Sequence, residues 1–443
     1  MGRKTILTLI LMIILVIAGI LYFYLIRSQP VSTTPSVTGF FKSILPFSNT
    51  PSTITNTADT PLLIGDTGSN NSSNILKTLP RLRQHTTEPI AGNTIMERNK
   101  EVIKDRVKVT VKETSIRYMD RASGHMFDAV TTDKDPKKIS NTTIPKVYEA
   151  IFTPTGESVI TRFLDGAENI ITYYITLKDK KPTIASTTLA SSSTPPVDTL
   201  PDVYIYKDVS GTYLAKNIKE LALSTDGKKM LSLVYGSDNG IISIIDSALK
   251  STTILSSPLK EWLLSYPTDS KAIITTKPSG ITYGYSYILN TQTGSLTKLI
   301  GNILGLTVLP NKDASMYLIG QASSALKMFY ITSSIQTLNN ISINTLPEKC
   351  VWSHNSSDTI YCAVPTRIPN AIYPDDWYKG RLFFNDSLWK INLKTGETNL
   401  VSNLLQESSQ SIDAINLQLS ASDEYLTFIN KRDLTLWGID LTR

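Results

Sequence analysis

A hairpin that recurs at intervals of 43, 44 and 45 residues limits what this chain can fold into more than any other feature. Its clearest copy is Ile218 to Val234, I-K-E-L-A-L-S-T-D-G-K-K-M-L-S-L-V. Leu221 and Leu223 alternate with small or polar neighbours, as in a half-buried strand. Ser224-Thr225-Asp226-Gly227 supplies a tight turn, in which Asp accepts local backbone hydrogen bonds and Gly takes a positive φ without steric cost. Met230, Leu231, Leu233 and Val234 then resume the apolar pattern. Asp269, Asp313, Asp358 and Asp423 mark further copies. An earlier copy, Val147 to Ile160, keeps Gly156 but lacks the acid. A second hairpin signal follows most copies, as at Tyr287–Gly294 and Leu388–Gly396, and Ile116–Gly124 repeats it near the start.

Two hairpins per repeat of this length is the period of a β-propeller blade. A lone blade cannot bury both faces, so successive blades stack around an axis. Two stretches read as insertions, 183–200 and 365–385. Without them, residues 81–443 give about 46 residues per blade for seven blades and about 54 for six. The expectation is an all-β, seven-bladed propeller over 79–443, with six blades as the alternative. The last copy holds three strands, Ile412–Leu419, Tyr425–Asn430 and Leu434–Asp440. Leu79–Thr86 precedes the first blade and is free to supply the fourth, closing the ring and removing an open edge.

The segment before the repeats is different in kind. Thr5 to Ile26 carries no charge, and as a helix it spans roughly 33 Å, about the thickness of a bilayer core. Tyr22 and Tyr24 sit near its outer end. Arg3 and Lys4 precede it and only Arg27 follows closely, which predicts a cytoplasmic N-terminus with the remainder outside. A cleaved signal peptide is the alternative, but no small-x-small site follows Ile26. Residues 28–78 read as a linker. Of the 53 residues from Ser28 to Pro80, 30 are Ser, Thr, Pro or Asn, too polar to offset the entropy of ordering. Gly39–Phe47 breaks that pattern, as an interfacial patch or as a contact with the folded domain.

The turn S-T-D-G-K-K-M-L resembles the S-P-D-G-K blade motif of TolB-type, WD40-like propellers. Pro is present at 154, 267 and 310 and absent at 225. The stretches 79–92, 116–127 and 373–380 also resemble segments of a family of membrane-anchored propeller proteins from small-genome candidate-phylum bacteria. That family has no established activity. The resemblance implies a cell-envelope location and no catalytic residue.

Charge and motifs narrow the function classes. The net charge of +6 is spread without a basic run, which argues against a nucleic-acid partner. His85, His125 and His354 lie on separate segments without partners at metal or triad spacing. No phosphate loop, dinucleotide fingerprint or hydrolase motif is present, so no cofactor and no metal are expected.

Two features stand out. Cys350 and Cys362 flank one turn at an even spacing, which places both side chains on compatible faces of paired strands. Outside the cytoplasm they would form a disulfide; the alternative is two buried thiols. The insertion 365–385 gathers Tyr373, Trp377 and Tyr378 with Asp375, Asp376, Lys379 and Arg381. Aromatics mixed with charges suit a recognition loop; the alternative is a loop folded onto its own blade with Trp377 filling a gap. The expected function is a membrane-anchored extracytoplasmic scaffold that binds an envelope protein or glycan without catalysis. The alternative is an envelope enzyme acting on glycans at the propeller axis.

Overall fold

The computed structural model describes residues 79–104, 107–179, 206–334 and 337–443. The anchor Thr5–Ile26, the linker 28–78 and the insertion 183–200 lie outside the described residues. Among the described residues no helix is long and apolar enough to cross a membrane.

The strands form seven four-stranded antiparallel sheets, six of them sequential meanders. Blades 1 to 6 occupy residues 90–138, 149–213, 218–257, 262–304, 307–340 and 350–403. Blade 7 takes three strands from residues 414–440 and its outer strand, Leu82–Gln84, from the start of the domain. Leu82, Arg83 and Gln84 pair with Ile439, Gly438 and Trp437. The ring therefore closes by joining the two ends of the domain in one sheet.

Antiparallel meanders divide the loops between two faces. The turns joining first and second strands, which carry the Asp-Gly signature, lie on one face, here called the turn face. The links between blades and the loops joining second and third strands lie on the other, the connection face. The founding turn forms as its residues dictate: Asp226 Oδ1 accepts from Ser224 Oγ at 2.7 Å and Lys228 N at 3.0 Å. Gly227 has φ +72°, and a Cβ there would meet Pro154 of the preceding blade's turn at 2.8 Å. The turn glycine thus serves both the local bend and the approach of neighbouring blades.

Each blade-to-blade junction holds its own apolar cluster. Met119 and Met126 of blade 1 meet Phe152 and Ile175 of blade 2, and Leu231 and Ile242 of blade 3 meet Trp262 and Ile274 of blade 4. Tyr118 and Ile116 close the series against Leu436 and Ile429 of blade 7. Polar staples cross the same junctions. Buried Arg117 of blade 1 pairs with Asp128 and donates to the Gly156 carbonyl of blade 2 at 2.6 Å. Arg162 of blade 2 donates to the Ile218 carbonyl of blade 3 at 2.6 Å. Cys350 and Cys362 pair directly across adjacent strands of blade 6 and are joined in a disulfide.

One element extends past the repeat. The first hairpin of blade 1, Ile90–Lys104 with Val107–Asp120, runs beyond the turn face as a two-stranded arm. Val107, Val109 and Val111 are exposed along it, and Lys100 pairs with Glu113 across it at 2.7 Å. The alternation V-K-V-T-V-K at 107–112 is its sequence signal.

Ring closure yields a direct expectation. Removing residues 1–77 should leave a soluble, folded domain. Removing 1–87 should leave Leu436–Asp440 as a bare edge, which promotes association between molecules. Equal melting temperatures and equal monodispersity for the two truncations would show that the closure carries no weight.

Candidate functional site

The insertion 365–385 joins the second and third strands of blade 6, so it starts on the connection face. There it folds over its neighbours rather than over its own blade. Asp375 accepts from Ser279 Oγ at 3.0 Å and from Gly280 N at 2.7 Å, both in blade 4. Tyr373 N donates to the Ser323 carbonyl of blade 5 at 2.7 Å. A single helical turn, Asp375–Tyr378, then carries Trp377 toward blade 7. Trp377 Nε1 donates to Asp413 Oδ2 at 2.8 Å, and Lys431 Nζ lies 4.8 Å from the ring centre.

The sequence-predicted loop residues therefore divide. Tyr373 is fully buried and Trp377 is 4% exposed. They pack with Phe384, Leu346, Ala322 and Leu326 as the core of a cap. Of the two readings of Trp377, a recognition residue or a gap-filler, its burial fits the second, although the gap lies between blades rather than on its own blade, and its one polar atom is satisfied. Asp375 and Asp376 serve different partners. Asp375 ties the cap to blade 4, whereas Asp376 accepts from Ile372 N at 2.9 Å and pairs with Arg381 at 2.9 Å. These contacts hold Asp376 below the usual carboxylate range. Tyr378, Lys379 and Arg381 remain exposed.

Tyr378 links the cap to the axis. Its hydroxyl donates to Glu348 Oε1, and Glu348 sits in the 3-10 turn Pro347–Lys349 that leads into the first strand of blade 6. Burial pushes Glu348 up to about 7, with the Tyr378 hydroxyl and Lys349 opposing. Burial and Glu348 together raise the Tyr378 phenol well above its usual value. Across the ring, Glu220 lies on the first strand of blade 3, Ile218–Leu223. Burial, then the charge of Glu149, push Glu220 up to about 7, with Arg162 opposing and Glu348 adding to the rise. Blades 3 and 6 are not neighbours, so only the axis brings Glu220 near Glu348. Glu149, on the first strand of blade 2, is paired with Arg162 at 2.5 Å. Among the described residues no hydrogen bond or ion pair reaches the Glu220 carboxylate.

Of these carboxylates, Glu149 borders two cavities, whose linings include neither Glu220 nor Glu348. A cavity of about 870 Å³ is lined by Asn93, Ile95, Glu97, Ile151, Gln418 and His354, among others. A second, of about 470 Å³, shares Ala91, Glu149 and Asn416 with it and includes Arg162 and Lys219. This is the size range of ligand sites.

The three histidines stay apart. His85 belongs to the ring-closing segment, where it meets Tyr425 Oη at 2.9 Å and Arg83 at 3.0 Å. Burial, then Arg83, push it down to about 3. His125 of blade 1 contacts Thr143 in the link to blade 2, and His354 lines the larger cavity near the turn face. Among the described residues no group of His, Cys, Asp or Glu is placed to hold a metal ion.

Sequence reasoning missed the axial glutamates. Their signal is a Glu at or just before the first strand of several repeats, in Y-E-A-I-F, K-E-L-A-L, K-E-W-L-L and P-E-K-C-V. A charge recurring where the innermost strand begins is a charge aimed at the axis. The Glu261 copy is neutralised by Lys277 at 3.0 Å.

Two outcomes follow. Trp377→Ala should open a cavity in the cap and cost about 3–5 kcal/mol, read as a lower denaturation midpoint; unchanged stability would mean the cap is not packed as described. Glu220 has a raised folded-state value, so its contribution is complete below the ordinary carboxylate range and is lost as pH rises through about 7. Glu220→Gln should therefore stabilise the fold at pH 8 by on the order of 1 kcal/mol after solvent screening, read as a higher melting temperature, and change it little at pH 4. An equal effect at both pH values would remove the axial charge conflict.

No protein-family model and no curated protein matches this chain. Solved structures resemble it in fold. They include an oligogalacturonate lyase in complex with manganese, at 8% identity and TM-score 0.44, covering 80% of this chain and 98% of that one. TolB from Acinetobacter baumannii follows at 12% identity and TM-score 0.39, covering 69% and 78%. The β-propeller domain of the Trilobed protease from Pyrococcus furiosus has 10% identity and TM-score 0.45, covering 80% and 95%. Each of these likenesses is one of fold alone.

Proposed function

We propose that this chain is a binding propeller, without catalysis, that receives a cationic group of an envelope protein at the axial opening beside its cap. The observation that carries this reading is the set Glu149, Glu220 and Glu348, brought from three blades close enough for the first and last to act electrostatically on Glu220. Glu220 has no cation bound to it among the described residues, and both Glu220 and Glu348 are pushed up to about 7. Carboxylates crowded together at a cost to stability mark sites kept for a ligand. A lysine or arginine side chain entering the opening would relieve that crowding. Exposed Tyr378 offers an aromatic surface at the same rim, of the type that anchors protein partners.

We place this activity outside the cytoplasm, on a chain anchored by Thr5–Ile26. The Cys350–Cys362 disulfide supports an oxidising compartment. The apolar length and basic flank of the N-terminal segment support the anchor.

A second reading, a glycan-directed enzyme at the axis, has one observation in its favour. Glu220, pushed up to about 7, has the value a general acid needs at neutral pH, and Glu149 lies near it.

One set of variants separates the two. The folded domain, used as bait against envelope extract, should retain a protein whose binding weakens with salt. Glu220→Gln combined with Glu348→Gln should weaken that binding by about 2 kcal/mol, roughly thirtyfold in Kd. Retention that ignores both salt and the double substitution would defeat the binding assignment. Release of new reducing ends from envelope glycans, abolished by Glu220→Gln alone, would establish the enzyme instead.

A further inference from the structure

Beneath the cap lies a charged cluster that the axial site does not use. Lys349 is completely buried, as are Asp386 and Asp413. Lys349 Nζ lies 2.5 Å from Asp413 Oδ1, 2.9 Å from Asp386 Oδ2 and 2.9 Å from the Ala414 carbonyl. The Trp377 and Phe384 rings cover the ammonium, with centres 5.2 and 5.3 Å away. Water is excluded, and the amine and the carboxyl are held in contact by three separate parts of the fold.

We propose that Lys349 Nζ and Asp413 Cγ become joined in an intramolecular isopeptide bond, formed by the folded protein itself with Asp386 as the proton carrier. Three arrangements support the chemistry. The first is proximity: an amine and a carboxyl fixed at contact distance in a dry site lose the entropic barrier to amide formation. The second concerns the other carboxyl oxygen. Asp413 Oδ2 accepts from Trp377 Nε1 at 2.8 Å and from Phe384 N at 3.0 Å. When Nζ attacks Cγ, negative charge collects on Oδ2, where two fixed N–H donors already point. The third is Asp386. Its Oδ2 touches Nζ and accepts from Ala414 N at 2.7 Å, while its Oδ1 is buried with no partner. Burial pushes its carboxyl up to about 6, against the pull of Lys349, so it readily takes and returns a proton.

The step balances without an oxidant or reductant. The ammonium and carboxylate of the ion pair become one amide and one water. Nζ gives up two protons in turn, and Asp386 relays them to Asp413 Oδ1. The Cγ–Oδ1 bond breaks as the Nζ–Cγ bond forms, and Oδ1 departs as water. Asp386 ends in the protonation state in which it began. The product replaces a buried ion pair, whose desolvation is expensive, with a neutral amide. It also links blade 6 to blade 7 covalently.

The test is peptide mapping of the reduced full-length protein after trypsin. An acylated Lys349 is no longer a trypsin site. The expected product is therefore a branched species, residues 328–367 joined to 395–431, lighter than the two together by one water. Linear 328–349 and linear 395–431 should be nearly absent. Asp413→Asn should give the same branched species with loss of ammonia in place of water. Asp386→Asn should give linear peptides only, as should Lys349→Arg. Folded wild-type protein yielding linear 328–349 and 395–431 in full overturns the proposal, whether or not the variants fold. A branched species that persists in Asp386→Asn would overturn the role given to Asp386.

Discussion

Everything in this structure depends on three residues, Leu82–Gln84, pairing with the last strand of the chain. Each blade of a ring buries its faces only against its two neighbours. Without the N-terminal strand, blade 7 keeps a free edge. Leu82 itself belongs to the apolar cluster between blades 6 and 7. The closure also draws in residues around it. Leu436 N donates to Thr86 Oγ1 at 2.9 Å, and His85 meets Tyr425 across the seam.

The connection face shows how one loop ties several blades of the ring together. The cap rising from blade 6 is tied to blades 4, 5 and 7, so it bridges neighbours that the ring alone holds only pairwise. Its buried half, Tyr373 and Trp377, makes it rigid. Its outward half delivers Tyr378 to the Glu348 carboxylate. The axial glutamates then sit in a conflict that the fold tolerates. The blade junctions supply ample apolar burial, and a propeller's first strands start at the axis whether or not like charges meet there.

The fold was legible because its determinants are local. Asp226 and Gly227 act within four residues of chain, and the same chemistry returns at each repeat. The closing strand was legible by counting, since three strands after Ile412 require a fourth. The site was far less so. Glu149, Glu220 and Glu348 come from three different repeats, and only the ring brings them together. Trp377 shows the opposite problem. An aromatic among charges has the composition of a recognition surface, yet here the charges around it, Lys431 and Asp413, belong to the same chain. Composition does not distinguish a partner from a neighbour that folding supplies. The arm of blade 1 was written in a strict alternation, but it departs from the repeat, and attention to the period passes over it.

The seam of blade 7 also determines how the domain bears load. Whatever tension the preceding segment transmits enters at Leu79 and is carried at once by Leu82–Gln84. Arg81 spreads that load, donating to the Asp440 carbonyl at 3.0 Å and to the Val401 carbonyl of blade 6 at 2.7 Å. Arg443 returns the grip from the other end, donating to the Leu79 carbonyl at 3.1 Å. A pull on the N-terminal side thus acts first on a strand of only three residues, and its neighbours are tied to that strand by arginines. The residues where the preceding chain enters the propeller and those that latch the ring mechanically are the same few.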